Sequence, residues 1–276
     1  MADVPTVTLN SGHAMPQLGY GVFKVPQDDT RTAVTAAFEA GYRSIDTAAM
    51  YRNEAGVGAA IAASGLPRDE LFITTKLNND AHAAGNARQA FEASLAELGL
   101  DYVDLYLIHW PLPARDRYLD TWQTFIALRD EGLIRSIGVS NFQPAHLERL
   151  ADETGETPAV NQIELHPYLV QASLREYDTG HKIATEAWSP IARGGALLGD
   201  QVITSLADKY GKTPAQIVIR WHLELGNIVI PKSVTLTRIV ENFEVFDFEL
   251  DSEDVEAITG LDRGERTGPD PDHFNA

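Results

Sequence analysis

Seven times along this chain a short apolar, β-branched run stops at a polar or aromatic side chain able to do chemistry: Asp46, Lys76, His109, Ser140 with Asn141, Gln162, Trp188 and Lys232. The runs cover 43–45, 71–75, 103–108, 134–139, 159–161, 182–187 and 228–231, and a helical pattern follows each. That alternation is the signature of strand, loop, helix units. Strands joined through helices run parallel, and a parallel sheet rolled into a barrel collects its strand ends at one mouth, from which barrel enzymes draw their catalytic residues. The pattern therefore predicts a parallel α/β barrel with its site at the carboxyl ends of the strands.

The rest of the chain completes that plan. Residues 7–9 and 13–15 read as a hairpin turning at Asn10-Ser11-Gly12, placed to cap one end of the barrel, and 18–23 reads as the first barrel strand. A helix is expected over 28–40, ended by Gly41, and another carries Phe91, Leu95 and Leu98 at helical spacing before Gly99. Thr213-Pro214 opens a helix whose stripe Ile217, Trp221 and Leu225 stops at Gly226, which makes Trp221 a core residue. An extra helix is expected over 252–260, and the polar tail from Asp262 can fold over the mouth. No linker or low-complexity tract breaks the alternation, so 1–276 reads as a single domain.

Charge and composition exclude several functions. A net charge of −18, from 40 acidic and 22 basic residues, argues against nucleic acid or an anionic membrane as partner, and confines any phosphate site to a local basic pocket. With no cysteine there is no disulfide framework and no thiolate nucleophile. The first residues lack a signal-peptide pattern and no 18 apolar residues run together, so a soluble cytoplasmic protein is expected, with a monomer as the default. His13, His82, His146, His166, His181, His222 and His273 show no metal-ligand spacing and read as surface or structural; no metal is expected. Neither GxGxxG nor a Walker loop follows an early strand, which argues against a Rossmann domain.

Asp46 and Lys76 end consecutive strands, so a barrel sets a carboxylate beside an ammonium. Tyr51 lies five residues past Asp46. A phenol titrates near pH 10 (about 10 unperturbed), and a neighbouring cation lowers that value, which makes Tyr51 a general-acid candidate. His109 could donate a hydrogen bond to a substrate oxygen. Together the four suit carbonyl reduction, in which charge builds on oxygen as hydride reaches carbon. Two other readings stand beside this one: a Schiff-base lyase using Lys76, which the adjacent Asp46 opposes by keeping the lysine charged, and a non-enzymatic cofactor-binding sensor.

These residues also sit in long, specific motifs. The stretch 41–58, Gly-Tyr-Arg-Ser-Ile-Asp-Thr-Ala-Ala-Met-Tyr-Arg-Asn-Glu-Ala-Gly-Val-Gly, resembles the first signature of the aldo-keto reductases. Leu107-Ile-His109-Trp110-Pro111, Gly138-Val-Ser-Asn-Phe142 and Ile230-Pro-Lys232-Ser233 agree with the family in order and spacing. Through 16–23, 160–167 and Glu241-Asn242 the chain is most similar to the bacterial 2,5-diketo-D-gluconate reductase branch. The resemblance implies a (β/α)8 TIM barrel with an N-terminal hairpin cap and a C-terminal extra helix and loop, binding NADPH/NADP+ in extended form. It implies Tyr51 as proton donor, Lys76 paired with Asp46, and His109 placing the substrate. Ser140, Asn141 and Gln162 would hold the nicotinamide carboxamide, with Trp188 stacked on the ring and Ser189 beside it. Lys232, Ser233, Val234, Thr235 and Arg238 would hold the 2′-phosphate, with Glu241 and Asn242 further along the cofactor wall. A lysine and an arginine at a helix N-terminus are a sensible phosphate site in an acidic protein. Phe23, Tyr51, His109 and Trp110 would form the substrate pocket for small aldehydes and ketones, including dicarbonyls such as 2,5-diketo-D-gluconate. The chain departs from relatives at Thr235, often an arginine, and at Asn78, often a tryptophan. An anionic substrate would look to Arg52, Arg263 or Arg266 for a cation.

Overall fold

The computed structural model describes residues 4–276. A hairpin, β1 (Thr6–Thr8) and β2 (Ala14–Pro16), precedes eight parallel strands: β3 (Tyr20–Gly21), β4 (Ser44–Asp46), β5 (Phe72–Leu77), β6 (Val103–Ile108), β7 (Ile134–Ser140), β8 (Val160–Glu164), β9 (Ala184–Trp188) and β10 (Ile228–Val229). They lie side by side in chain order. The sheet closes where Leu18 bridges Val229: Gly19 N–H donates to Val229 O at 2.9 Å and Gly21 N–H to Pro231 O at 3.1 Å. The expected (β/α)8 barrel is thus the observed fold. Its first strand is regular over a shorter range than 18–23 because the flanks of β3 form this seam.

Helices α1 (Gln27–Ala40), α2 (Glu54–Ser64), α3 (Ala84–Leu98), α4 (Tyr118–Asp130), α5 (Pro144–Thr154) and α6 (Ala172–Gly180) follow β3 to β8 in turn. Between β9 and β10 lie both α7 (Gln201–Tyr210) and α8 (Pro214–Glu224), and after β10 come α9 (Leu236–Phe243) and the extra α10 (Ser252–Thr259). Of the two between β9 and β10, α8 is the helix expected from Thr213-Pro214 and α7 is additional. Gly41 ends α1 at φ 118°, a conformation open to glycine, and Thr213 and Gln216 cap α8 reciprocally. Trp221 is fully buried in the core, its Nε1 donating to Thr259 Oγ1 at 3.0 Å. Among the described residues no helix is long and apolar enough to cross a membrane.

Alternate strand residues face the barrel interior. At its amino-terminal end these are Phe72, Leu105, Leu107, Val160 and Ile228, and Leu9 and Met15 of the hairpin segment pack on them and plug that end. At the other end the tail returns over the mouth. Glu164, which ends β8, is buried and accepts the N–H groups of Thr267 (2.6 Å) and Gly268 (3.0 Å), with His166 Nε2 at 3.2 Å. Burial alone would raise the pKa of Glu164, but its hydrogen bonds from His166, Thr267 and Gly268 hold it below the ordinary glutamate range. Beyond this clasp the Phe274 ring packs on Trp110 at a centroid distance of 4.5 Å.

Two outcomes test this packing. A Cβ on Gly58 would lie 2.3 Å from Leu98 O, where α2 meets the end of α3, whereas Gly180 faces open space. Gly58→Ala should therefore cost about 1–3 kcal/mol or more in urea unfolding and Gly180→Ala essentially nothing; equal midpoints would refute the close approach. Glu164→Gln keeps the shape of the clasp but removes its charge. A hydrogen bond to a charged group is worth about 1.5–3 kcal/mol, so amide exchange at Thr267 and Gly268 should accelerate about tenfold or more. Unchanged protection there would mean that other contacts hold the tail.

Candidate active site

In the register of β4 and β5, Asp46 lies opposite Thr74, which sets Lys76 one inward-facing step beyond it. Lys76 Nζ donates to both Asp46 oxygens, at 2.6 and 2.7 Å, and to Thr47 O at 2.9 Å, with the lysine fully buried. Burial by itself would lower the Lys76 pKa, but Asp46, Tyr51 and Glu186 together hold it above its ordinary value. The loop after β4 brings Tyr51 over this pair through a short turn, Ala49–Tyr51. Asn53 fixes the loop: its Nδ2 donates to Val22 O (3.0 Å) and Val25 O (3.1 Å), and its Oδ1 accepts from Thr47 Oγ1 at 3.0 Å. Lys76 Nζ stands 5.2 Å from the centroid of the Tyr51 ring, and the His109 ring 5.9 Å from it.

The electrostatics differ in one respect from the sequence expectation. Burial pushes the Tyr51 phenol up to about 12; Lys76 pulls it down as expected, but Asp46 and Glu186 oppose that pull. The phenol is therefore protonated at neutral pH. His109 is driven down to about 3 by burial and by the Lys76 charge, so its imidazole is neutral, and its Nδ1 has no partner.

A cleft of about 710 Å³ opens above these groups, within the ~300–1,000 Å³ range of small-molecule sites. Its wall gathers Phe23, Asp46, Tyr51, His109, Trp110, Ser140, Asn141, Gln162, Trp188, Ser189, Lys232, Ser233, Arg238, Glu241 and Asn242 from the sequence expectation. Lys76 supports the wall from behind. Val234 and Thr235 do not line it: both are exposed in the turn where Ser233 Oγ accepts the Thr235 N–H at 3.1 Å. Asn141 sits at φ 66°, its Nδ2 donating to His109 O (2.9 Å) and Ser140 Oγ (3.0 Å) and its Oδ1 accepting from Trp188 Nε1 at 2.8 Å. Gln162 Nε2 donates to Asp46 Oδ2 and to Glu186 Oε2, each at 2.8 Å.

Sequence reasoning missed several members of this site. Glu186 lies buried two residues before Trp188 on the same strand face, and period-two alternation was the signal that could have found it. Burial and the nearby Asp46 push its carboxyl up to about 8, well above the ordinary glutamate range. Lys24 and Arg193 reach the cleft from loop positions at φ 59°, and Gly268 and Pro269 of the tail complete its rim. Among the described residues, none of the cleft cations Lys24, Arg193, Lys232 and Arg238 is ion-paired. Burial and then Lys24 hold the Lys232 ammonium below its usual value, the mark of cations crowded together. Arg52, Arg263 and Arg266 do not line the cleft. Arg52 points to solvent, and Arg263 lies over the Tyr168 ring at 3.3 Å. Asn78 turns its side chain back to accept the Asn79 N–H at 3.0 Å.

The other histidines serve structure or lie at the surface. His166 pairs with Glu164, and the buried His222 Nε2 lies 3.1 Å from Pro190 O. His82 is buried with neither ring nitrogen partnered, and burial lowers it to about 4. Among the described residues no group of three His, Asp or Glu side chains could hold a metal ion.

Comparison with known proteins agrees with this geometry. The family model described as "Aldo/keto reductase family" matches residues 12–263. The chain is 57% identical over 271 residues to an aldo-keto reductase of Mycolicibacterium smegmatis, covering 98% of each chain. It is also 57% identical over 275 residues to methylglyoxal reductase DkgA of Escherichia coli, covering 99% of each. Among solved structures, a Gox0644 mutant in complex with NADPH superposes with a TM-score of 0.95 at 46% identity, covering 99% of each chain. With its barrel, its strand-end residues and these matches in agreement, the chain belongs to the aldo/keto reductase family.

Proposed function

We propose that this chain reduces aldehydes and ketones to alcohols with NADPH, small dicarbonyls such as methylglyoxal among them, and that Tyr51 is the proton donor. The observation that carries the reading is the buried Lys76–Asp46 pair set behind Tyr51 and His109 at the floor of one cleft. The cleft fits a dinucleotide phosphate. Its four unpaired cations suit a polyanion in a chain of net charge −18, and its inner end offers hydrogen-bonding groups beside the flat Trp188 ring. Ser140, Asn141 and Gln162 would hold the carboxamide, Trp188 and Ser189 the ring. Lys232, Ser233 and Arg238 would hold the 2′-phosphate at the entry to α9, and Glu241 and Asn242 the far wall. Val234 and Thr235, turned to solvent, would contribute backbone alone.

NADPH, when bound, supplies the hydride. The protein's own residues serve the oxygen. Tyr51 O–H gives its proton to the carbonyl oxygen as charge develops there, and neutral His109 donates a hydrogen bond to the same atom. The phenolate left behind faces the Lys76 ammonium, which Asp46 and Thr47 O keep in place. Phe23, Met50 and Trp110 surround the substrate end with apolar surface, which suits a small uncharged carbonyl compound. A Schiff-base role for Lys76 is disfavoured because its Nζ is charged, fully buried and already donating to three oxygens.

Tyr51→Phe should lower kcat for methylglyoxal by about 10²–10⁴, the usual contribution of a general acid, while NADPH affinity stays within about twofold of wild type. Near-wild-type turnover, read as NADPH consumption, would sink the assignment. Lys232→Ala combined with Arg238→Ala should weaken NADPH by about tenfold or more per lost charged contact and barely touch NADH. Equal losses for both cofactors would move the phosphate elsewhere.

A further inference from the structure

Gln162 is held from two sides. Its Nε2 gives one N–H to Asp46 Oδ2 and the other to Glu186 Oε2, both at 2.8 Å, and its Oε1 accepts nothing from the protein. A carboxamide has two N–H donors and one carbonyl acceptor, so with both donors turned inward only the acceptor is left for an occupant of the cleft. Asp46 cannot swing away, because Lys76 Nζ holds both of its oxygens. A carboxylate paired with a cation only accepts, so the amide must face Asp46 nitrogen first.

Glu186 supplies the second constraint. It lies opposite Gln162 in the register of β8 and β9, fully buried, with Oε1 unpartnered and a second carboxylate nearby. That environment is unfavourable for a carboxyl group, and an apolar side chain would avoid its cost. An apolar side chain would also release one Gln162 N–H and let the amide rotate toward the cleft. We infer that Glu186 is a positioning residue: by taking the second N–H of Gln162 it presents the Gln162 carbonyl oxygen to the cofactor, and so favours a nicotinamide that carries an amide N–H donor. The inference rests on the NADPH site proposed above and adds to it a residue that sets which end of the Gln162 amide the cofactor meets.

The test is binding to the apoprotein, read as quenching of tryptophan fluorescence. NADP+ is compared with its 3-acetylpyridine analogue, in which a methyl group replaces the amide NH₂. Wild type should bind NADP+ about fivefold more tightly, within the range one neutral hydrogen bond supplies. Glu186→Gln, whose side-chain oxygen still accepts, should keep that ratio. Glu186→Leu and Glu186→Met, which offer no comparable acceptor, should bring it below about twofold. A Leu or Met variant that weakens both ligands yet keeps the wild-type ratio overturns the proposal, since Glu186 would then be structural only. A wild-type ratio near one overturns it as well, and does so even if neither apolar variant folds. Wild-type protein that binds neither ligand instead overturns the cofactor reading, a result distinct from both.

Discussion

The ion pair between Lys76 and Asp46 is the constraint around which the interior of this barrel is organised. An ammonium taken wholly out of water costs several kcal/mol unless its three donors are met. Here two go to Asp46 and one to Thr47 O, all between 2.6 and 2.9 Å. Removing either partner would strand the other charge at a cost of about 3–5 kcal/mol. The pair therefore cannot adapt to its neighbours, and its neighbours adapt to it. Gln162 turns its nitrogen toward Asp46, Glu186 keeps its proton in the shadow of the same carboxylate, and Tyr51 sits in the field of both.

Such a polar cluster survives inside a barrel because apolar surface seals it from beneath. Phe72, Leu105, Leu107, Val160 and Ile228 face inward below it, and Leu9 and Met15 close the end. Access is left at the mouth alone, where the tail narrows it further. Gly268 passes so close to Trp188 that a Cβ would lie 2.5 Å from the indole, and Glu164 anchors the backbone leading into that contact through the Thr267 and Gly268 N–H groups. The tail, the Trp188 ring and the Asn141 amide that accepts from the indole thus form one packed unit at the edge of the cleft. Trp188 ends β9, so strand and tail together fix its aromatic face.

Strand after strand, the residue that follows each apolar run was legible as a candidate site residue, because β-branched runs mark strands and a parallel barrel collects their ends. The chemistry of Asp46, Lys76, Tyr51 and His109 followed from their types and order. Glu186 did not, since a glutamate inside a strand reads as a solvent-facing position until the register shows which face turns inward. The clasp between Glu164 and Thr267 spans a sequence separation of 103, beyond any local pattern. Lys24 and Arg193 sit on loops in left-handed conformations that no periodicity announces. Lys76 pulls the Tyr51 phenol down as expected, yet burial outweighs it and the phenol is raised, because sequence says which charges are near and nothing of how deeply the phenol is buried.

Burial holds the proton on Tyr51 across the physiological range, so in the proposed reaction what must be lowered is the cost of losing that proton. The cluster sets the Lys76 ammonium against the Asp46 carboxylate, and a phenolate formed on Tyr51 in the proposed reaction would face the cation. Were Glu186 ionised, a second negative charge would oppose that phenolate, as the direction of its influence on Tyr51 already indicates. A single physical cause, exclusion of water from the barrel interior, thus raises both the Tyr51 phenol and the Glu186 carboxyl above their ordinary ranges, while Lys76 pulls each of them back.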